Sequence, residues 1–257
     1  MIFMIRLELE KNQCCAQYIF EEESMETYLH KELEKLEVKI MKMFTLTERA
    51  LESSVKALMD RDDDLAEEVI QGDQVINALE VDIEETILHI LALWQPVARD
   101  LRFVMGCSKI SNDLERLGDQ ATNIAERAIM LNQRPRLSLM NAVQALADVS
   151  LSMYRNVISA FSRLDCDQAA RVCGQDNTAD ELNIKIIRRL IDYMNNESLI
   201  VERAVHTVIV ANSLERVGDL STNIAENVYF IVQGINVKHS DRFDAKCASP
   251  GEQGNDL

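Results

Sequence analysis

Two stretches decide the fold, LERLGDQATNIAE at Leu114–Glu126 and LERVGDLSTNIAE at Leu214–Glu226. Between Asn112–Glu126 and Asn212–Glu226, eleven of fifteen positions are identical at a constant offset of one hundred residues. A fainter echo precedes them at an offset of 103, where ALMDRDDDLAEEVIQGD from Ala57 matches AFSRLDCDQAARVCGQD from Ala160. A three-residue length difference therefore lies between the two blocks. Repetition on this scale means one supersecondary unit used twice.

Breaks divide each copy into three helices. In the first, helical spacing runs over about Tyr28–Met59, Leu65–Trp94 and Val97–Leu131, with RDDD and QP at the joints. Pro96 suits the first turn of a helix, where its missing N–H has no partner to lose. In the second copy the pattern covers about Leu137–Phe161, Gln168–Met194 and Leu199–Val232. Long helices joined by short loops pack antiparallel. The sequence thus predicts an all-α protein of two tandem antiparallel three-helix bundles: an N-terminal arm at 1–24, a first unit at 25–132, a second at 133–234 and a disordered tail at 235–257. Met25, just before the first strong pattern, is a second plausible start.

Composition agrees. The 257 residues are 47% apolar and 27% charged, enough to bury a core, and hold only 8 Gly and 3 Pro, which favours long helices over turn-rich sheets. Forty-three acids against 27 bases give a net charge of −16, which repels nucleic acid and anionic membrane. No apolar run is long enough to span a bilayer and the charged opening resembles no signal peptide, so a cytoplasmic protein is expected. The six cysteines show no C-x-x-C or zinc-finger spacing and read as reduced thiols.

The third helix of each copy carries two stripes. Ile110, Leu114, Leu117, Ala121, Ile124, Ala128 and Leu131 form an apolar face, mirrored by Val210 to Ile231 in the second copy. Nearly opposite stand Glu115, Asp119, Thr122 and Glu126, with Asn123 beside them, and likewise Glu215, Asp219, Thr222 and Glu226. Gly118 and Gly218 lie between the faces, where a missing side chain admits a close neighbour. The second helices answer with Asp73, Asn77, Glu80 and Glu84 at 4-3-4 spacing, and with Asp176, Asp180 and Asn183 at 4-3. Carboxylates four apart repel by a few tenths of a kcal/mol in water, a sign that a cation would reverse. An acidic stripe opposite an apolar one is ordinarily just a solvated face. Here both copies keep Glu, Asp, Thr, Asn and Glu in place while core letters such as Leu117 and Val217 differ.

The doubled LERxGDxxTNIAE blocks, the QPVARDLR entry to the third helix and the D-x-x-x-N and D-x-x-x-D pairs resemble the PhoU family of phosphate-transport accessory proteins. The likeness covers nearly everything from about Met25 to Gly234. It implies multinuclear metal clusters on the bundle surface, held by Asp73, Glu115 and Asp119 in the first copy and by Asp176, Asp180, Glu215 and Asp219 in the second. Asn77 stands where the second copy has Asp180, which implies weaker or smaller occupancy of the first site. Oxygen ligands suit iron, manganese, magnesium or calcium; zinc is disfavoured without histidine. The resemblance further implies a regulatory adaptor linking the ATPase subunit of a phosphate ABC transporter to the sensor kinase of a two-component system. It would restrain uptake and repress starvation genes, and a homodimer is expected.

Chemistry of the protein's own has little support in the letters. Di-iron oxidases need E-x-x-H pairs facing a bundle interior, and neither Glu85 with His89 nor Glu202 with His206 has that spacing. No phosphate loop, nucleophile elbow or Cys-His arrangement appears. A metal-dependent phosphatase or oxidase and a purely structural dimerising bundle remain the competing classes. Arg116 and Arg216 are expected to screen neighbouring acids rather than bind phosphate.

Overall fold

No glycine or proline interrupts the chain before Gly72, and α1 (Ile2–Asp60) runs unbroken through the expected N-terminal arm and past Met25. The computed structural model describes residues 2–236, with side chains from Thr27 onward. The predicted disordered tail, beyond Ile235 and Asn236, lies outside the described residues. The other helices are α2 (Asp63–Trp94), α3 (Ala98–Asn132), α4 (Met140–Arg163), α5 (Cys166–Cys173), α6 (Asp176–Asn196) and α7 (Val201–Gln233). A 3-10 turn at Ser198–Ile200 leads into α7, and no strand occurs among the described residues.

Local chemistry sets the joints. Asp62 caps α2 by accepting a hydrogen bond from the Leu65 N–H at 3.0 Å, which satisfies an otherwise orphaned donor. Gln95 ends α2 in the left-handed conformation, and Val97 caps α3, so Pro96 precedes the helix instead of occupying its first turn as the sequence predicts. The second helix of copy two is not continuous. α5 is capped by Asp165, which accepts from the N–H groups of Asp167 and Gln168 at 2.9 Å, and it stops at Gly174. There the Gln175 N–H reaches the Val172 carbonyl in a tightened turn before α6 resumes.

α1, α2 and α3 pack pairwise, as do α4, the α5–α6 arm and α7. The two triads share one core, because α3 lies along α7 and α1 touches α4. Phe44 on α1 meets Tyr154 and Phe161 on α4 at ring-centroid distances of 6.1 and 5.4 Å. The fully buried Tyr154 hydroxyl donates to the Phe44 carbonyl at 3.0 Å. Arg155 ties the same helices at their surface by pairing with Glu48 and Glu52. α3 and α7 meet antiparallel: a side chain on Gly106 would collide with Ile231, while Leu131 and Thr207 line one cleft. With the repeat offset of one hundred, these pairings put the two-fold axis relating the copies near the level of Gly118 and Gly218.

Candidate metal centres

The apolar stripe of α3 is buried as its spacing predicts, apart from a half-buried Leu131. The opposite stripe departs from the sequence reading except at Asp119, which is exposed as predicted. Glu115, Thr122, Asn123 and Glu126 are half-buried rather than open to solvent, because α2 covers one flank of α3 and α7 the other. The carboxylates therefore line seams between helices, one between α2 and α3 and one between α6 and α7.

In the first seam, the Asn77 side-chain amide donates to Asp73 Oδ2 at 2.8 Å. Asp73 Oδ1, Asn77 Oδ1 and Thr122 Oγ1 are buried and find no protein partner. Burial raises the pKa of Glu115, with Asp119, Glu80 and Asp73 adding to the rise. Asp119 is raised by burial and by Asp73, and Glu80 by burial, Glu84 and Asp119. The four carboxylates Asp73, Glu80, Glu115 and Asp119 thus feel one another. Arg116 eases Glu115 and Asp119 but bonds Asp113, at 3.3 Å. Gly118 brings α2 this close: a Cβ there would stand 3.2 Å from Ile76 Cδ1 and 3.3 Å from Asp73 Oδ1.

In the second seam, oxygens of Asp180, Glu215 and Asp219 lie within 4.8 Å of one another. Asp176 joins them through the Thr222 hydroxyl, which donates to its Oδ1 at 3.4 Å, and through its repulsion by Asp219 and Asp180. Burial first and neighbouring carboxylates second push Asp176 and Glu215 up to about 6. Asp219 is raised too, against the lowering effect of Arg216, which donates to its Oδ2 at 3.3 Å. Gly218 makes ordinary contacts with Met153 and Ala179.

The structure therefore brings Asp180, Glu215 and Asp219 together most tightly and groups Asp73, Glu115 and Asp119 more loosely. Glu80 stood in the predicted α2 stripe but not among its ligands, and it belongs with the first group. At the 103 offset, Asn77 pairs with Asp180 and Glu80 with Asn183, so each copy keeps one carboxylate and moves it about a turn along its helix. Asn183 is buried and donates to Asn212 at 3.2 Å. Half-buried, mutually repelling oxygens with orphaned acceptors beside them fit a hard, oxygen-seeking cation.

A family model described as the PhoU domain matches residues 40–128 and 143–228. A "phosphate-specific transport system accessory protein PhoU homolog" of Aquifex aeolicus is 39% identical over 211 residues, which are 82% of this chain and 96% of that protein. The PhoU accessory protein of Escherichia coli is 35% identical over 208 residues, 81% of this chain and 86% of its own. Among solved structures, PhoU of Pseudomonas aeruginosa superposes with a TM-score of 0.77 at 36% identity, over 80% of this chain and 99% of that one. The phosphate transport system regulatory protein PhoU of Streptococcus pneumoniae gives 0.76 at 26% identity, over 81% and 99%.

Proposed function

The chain belongs to the PhoU domain family, and from that premise we propose that it is a non-catalytic accessory protein of a phosphate transport system that binds metal and acts by contact with its partners. The observation that carries the metal-dependent part is the convergence of Asp180, Glu215 and Asp219 within 4.8 Å at the α6–α7 seam. Asp176 completes this site. Asp73, Glu115 and Asp119 hold the first, with Glu80 as a fourth carboxylate.

Bound cations supply positive charge that relieves the repulsion among these acids. The chain's own contribution is placement. α3 and α7 present Glu and Asp four residues apart on one face, the facing helices add a carboxylate from the other side, and Arg216 restrains Asp219. Partial burial excludes some water and strengthens each carboxylate's attraction for a cation. Iron, manganese, magnesium or calcium suits the all-oxygen donor set.

The loaded protein works in the cytoplasm as an adaptor between the ATPase subunit of the phosphate ABC transporter and a phosphate-sensing histidine kinase. It restrains uptake and starvation signalling while phosphate is plentiful, and it acts as a homodimer. The relatives named as transport accessory and regulatory proteins support this reading, and no helix among the described residues is long and apolar enough to cross a membrane. Elemental analysis of protein purified without chelator should find bound metal, reduced when Asp180 and Asp219 are both changed to Asn. Binding to purified ATPase subunit and kinase should weaken after metal is stripped. Full partner binding by metal-free protein would refute the metal-dependent mechanism.

A further inference from the structure

Gly72 lies inside α2 in ordinary helical backbone, where a glycine weakens the helix. Nothing in the fold asks for it. A Cβ built there would meet no atom within 4 Å, whereas neighbours press close on Gly106 and Gly118. At the 103 offset the second copy has Gln175, whose side chain accepts a hydrogen bond from Asn156 at 3.4 Å, so the repeat tolerates a long side chain at this place. What the missing side chain leaves is space.

That space is a slot of about 220 Å3 between α1 and α2. Its walls are mainly aliphatic, with Leu46 and Ala50 on α1 and Leu65, Val69, Val75 and Ile76 on α2. Exposed Arg49 and Glu68 stand at its two lips. The matching hollow of the second copy is polar, with Ser152, Gln175 and Thr178 in place of Arg49, Gly72 and Val75. Arg49 is the middle member of a column, Lys42, Arg49 and Lys56, whose spacing of seven keeps it nearly in line along α1. All three are exposed and none forms an ion pair among the described residues, whereas Lys35 and Lys39 on the same helix are held by Glu32 and Asp82. The acids nearby are Glu68 on the α2 lip, Asp60 and Asp64 toward the α1–α2 turn, and Glu48 and Glu52, which Arg155 engages. An anionic head is therefore drawn to the α1 lip and kept from the α2 lip.

We propose that this slot binds a straight-chain aliphatic carboxylate, its chain lying between α1 and α2 and its carboxylate on Arg49, within the field of Lys42 and Lys56. A dry apolar cavity of about 150 Å3 takes a benzene-sized molecule, so the slot has room for a chain of about eight carbons. A single aliphatic side chain from a partner helix would leave part of it empty. An anionic membrane is repelled by the net charge of −16, whereas a small carboxylate meets mainly the local cations. The proposal rests on neither the metal reading nor the transport reading.

The test titrates the full chain with octanoate by calorimetry, with octanol as the uncharged control. Octanoate should bind one to one and about 10-fold more tightly than octanol, and Arg49→Gln should remove that preference. Gly72→Leu places a side chain in the slot, so it should raise the urea midpoint of the free chain and abolish octanoate binding. Ala50→Leu fills the slot from the opposite wall, away from the Asp73 carboxylate, and should abolish binding as well. Circular dichroism checks the fold of each variant. The proposal is overturned if octanoate shows no saturable binding, if either filling variant still binds it like the parent, or if the preference for octanoate survives Arg49→Gln. Association with phosphatidylglycerol vesicles but not with octanoate also overturns it, and assigns the cation column to a lipid surface.

Discussion

Gly118 and Gly218 occupy equivalent places in the repeat, yet their surroundings differ in a way that separates fold from site. A methyl at Gly218 would meet Met153 and Ala179 at ordinary contact distances, so Gly218→Ala should gain helix propensity and stabilise the protein by up to about 1 kcal/mol. At Gly118 the methyl would press on Ile76 and on Asp73 Oδ1, moving a carboxylate of the first seam. Gly118→Ala should therefore lower metal content per chain relative to Gly218→Ala, as elemental analysis of the two variants would show. Equal metal content would mean that the Asp73 carboxylate is not a ligand. Tyr154 isolates a purely structural term. Its buried hydroxyl bonds the Phe44 carbonyl across the α1–α4 contact, so Tyr154→Phe should destabilise by about 1 kcal/mol in urea melts and leave metal content unchanged.

At the scale of helices, the seams are crowded carboxylate ladders in which burial and neighbouring acids raise the pKa values of Glu80, Glu115, Asp119, Asp176, Glu215 and Asp219 above those of the unfolded chain. Asp176 and Glu215 reach about 6, whereas unfolded carboxyls titrate near 4. Such groups hold more protons folded than unfolded, so metal-free stability should fall as pH rises from about 4 to about 6 and stay low above it. Urea melts in chelator at pH 5 and pH 7.5 should show the metal-free protein weaker at pH 7.5, and added cation should narrow the gap by taking the protons' place. Asp180→Asn should do likewise without metal, since it removes a charge that raises both Asp176 and Glu215. The ladders were legible because a 4-3 spacing fixes a helix face whatever packs on it. What covers that face was not: the half-burial of Glu115 depends on α2, which brings Asp73 and Glu80 beside it and which local periodicity cannot place. The break at Gly174 was hidden for a similar reason. CGQD holds no proline, and the apolar rhythm on both sides runs through it; only the tightened turn at Gly174 and Gln175 ends α5. The absence of Gly and Pro before Gly72 let α1 extend where weak periodicity suggested a loose arm.

Across the whole molecule, two copies of one unit need not be two independent folds. A three-helix unit separated from its twin would expose the α3 or α7 flank that the other now covers, including Gly106 and Ile231, which meet across it and are buried in the assembled chain. The Phe44, Tyr154 and Phe161 cluster would be divided as well, because its rings come from α1 and α4. Loss of that shared core costs each half more than its own three-helix contacts readily offset, given the small margin by which domains are stable. Unfolding should accordingly be a single cooperative transition. Trp94, the one tryptophan, sits in the first copy and stacks on Tyr28 at 6.0 Å, so its fluorescence follows that half while far-ultraviolet circular dichroism follows both. The two signals should coincide through a urea titration of the native chain. Gly106→Leu, which drives a side chain into Ile231 at the α3–α7 crossing, should shift both midpoints down or pull them apart. Separation of the two curves in the unaltered chain would show instead that each repeat folds by itself and that the α3–α7 contact is a docking surface between finished domains.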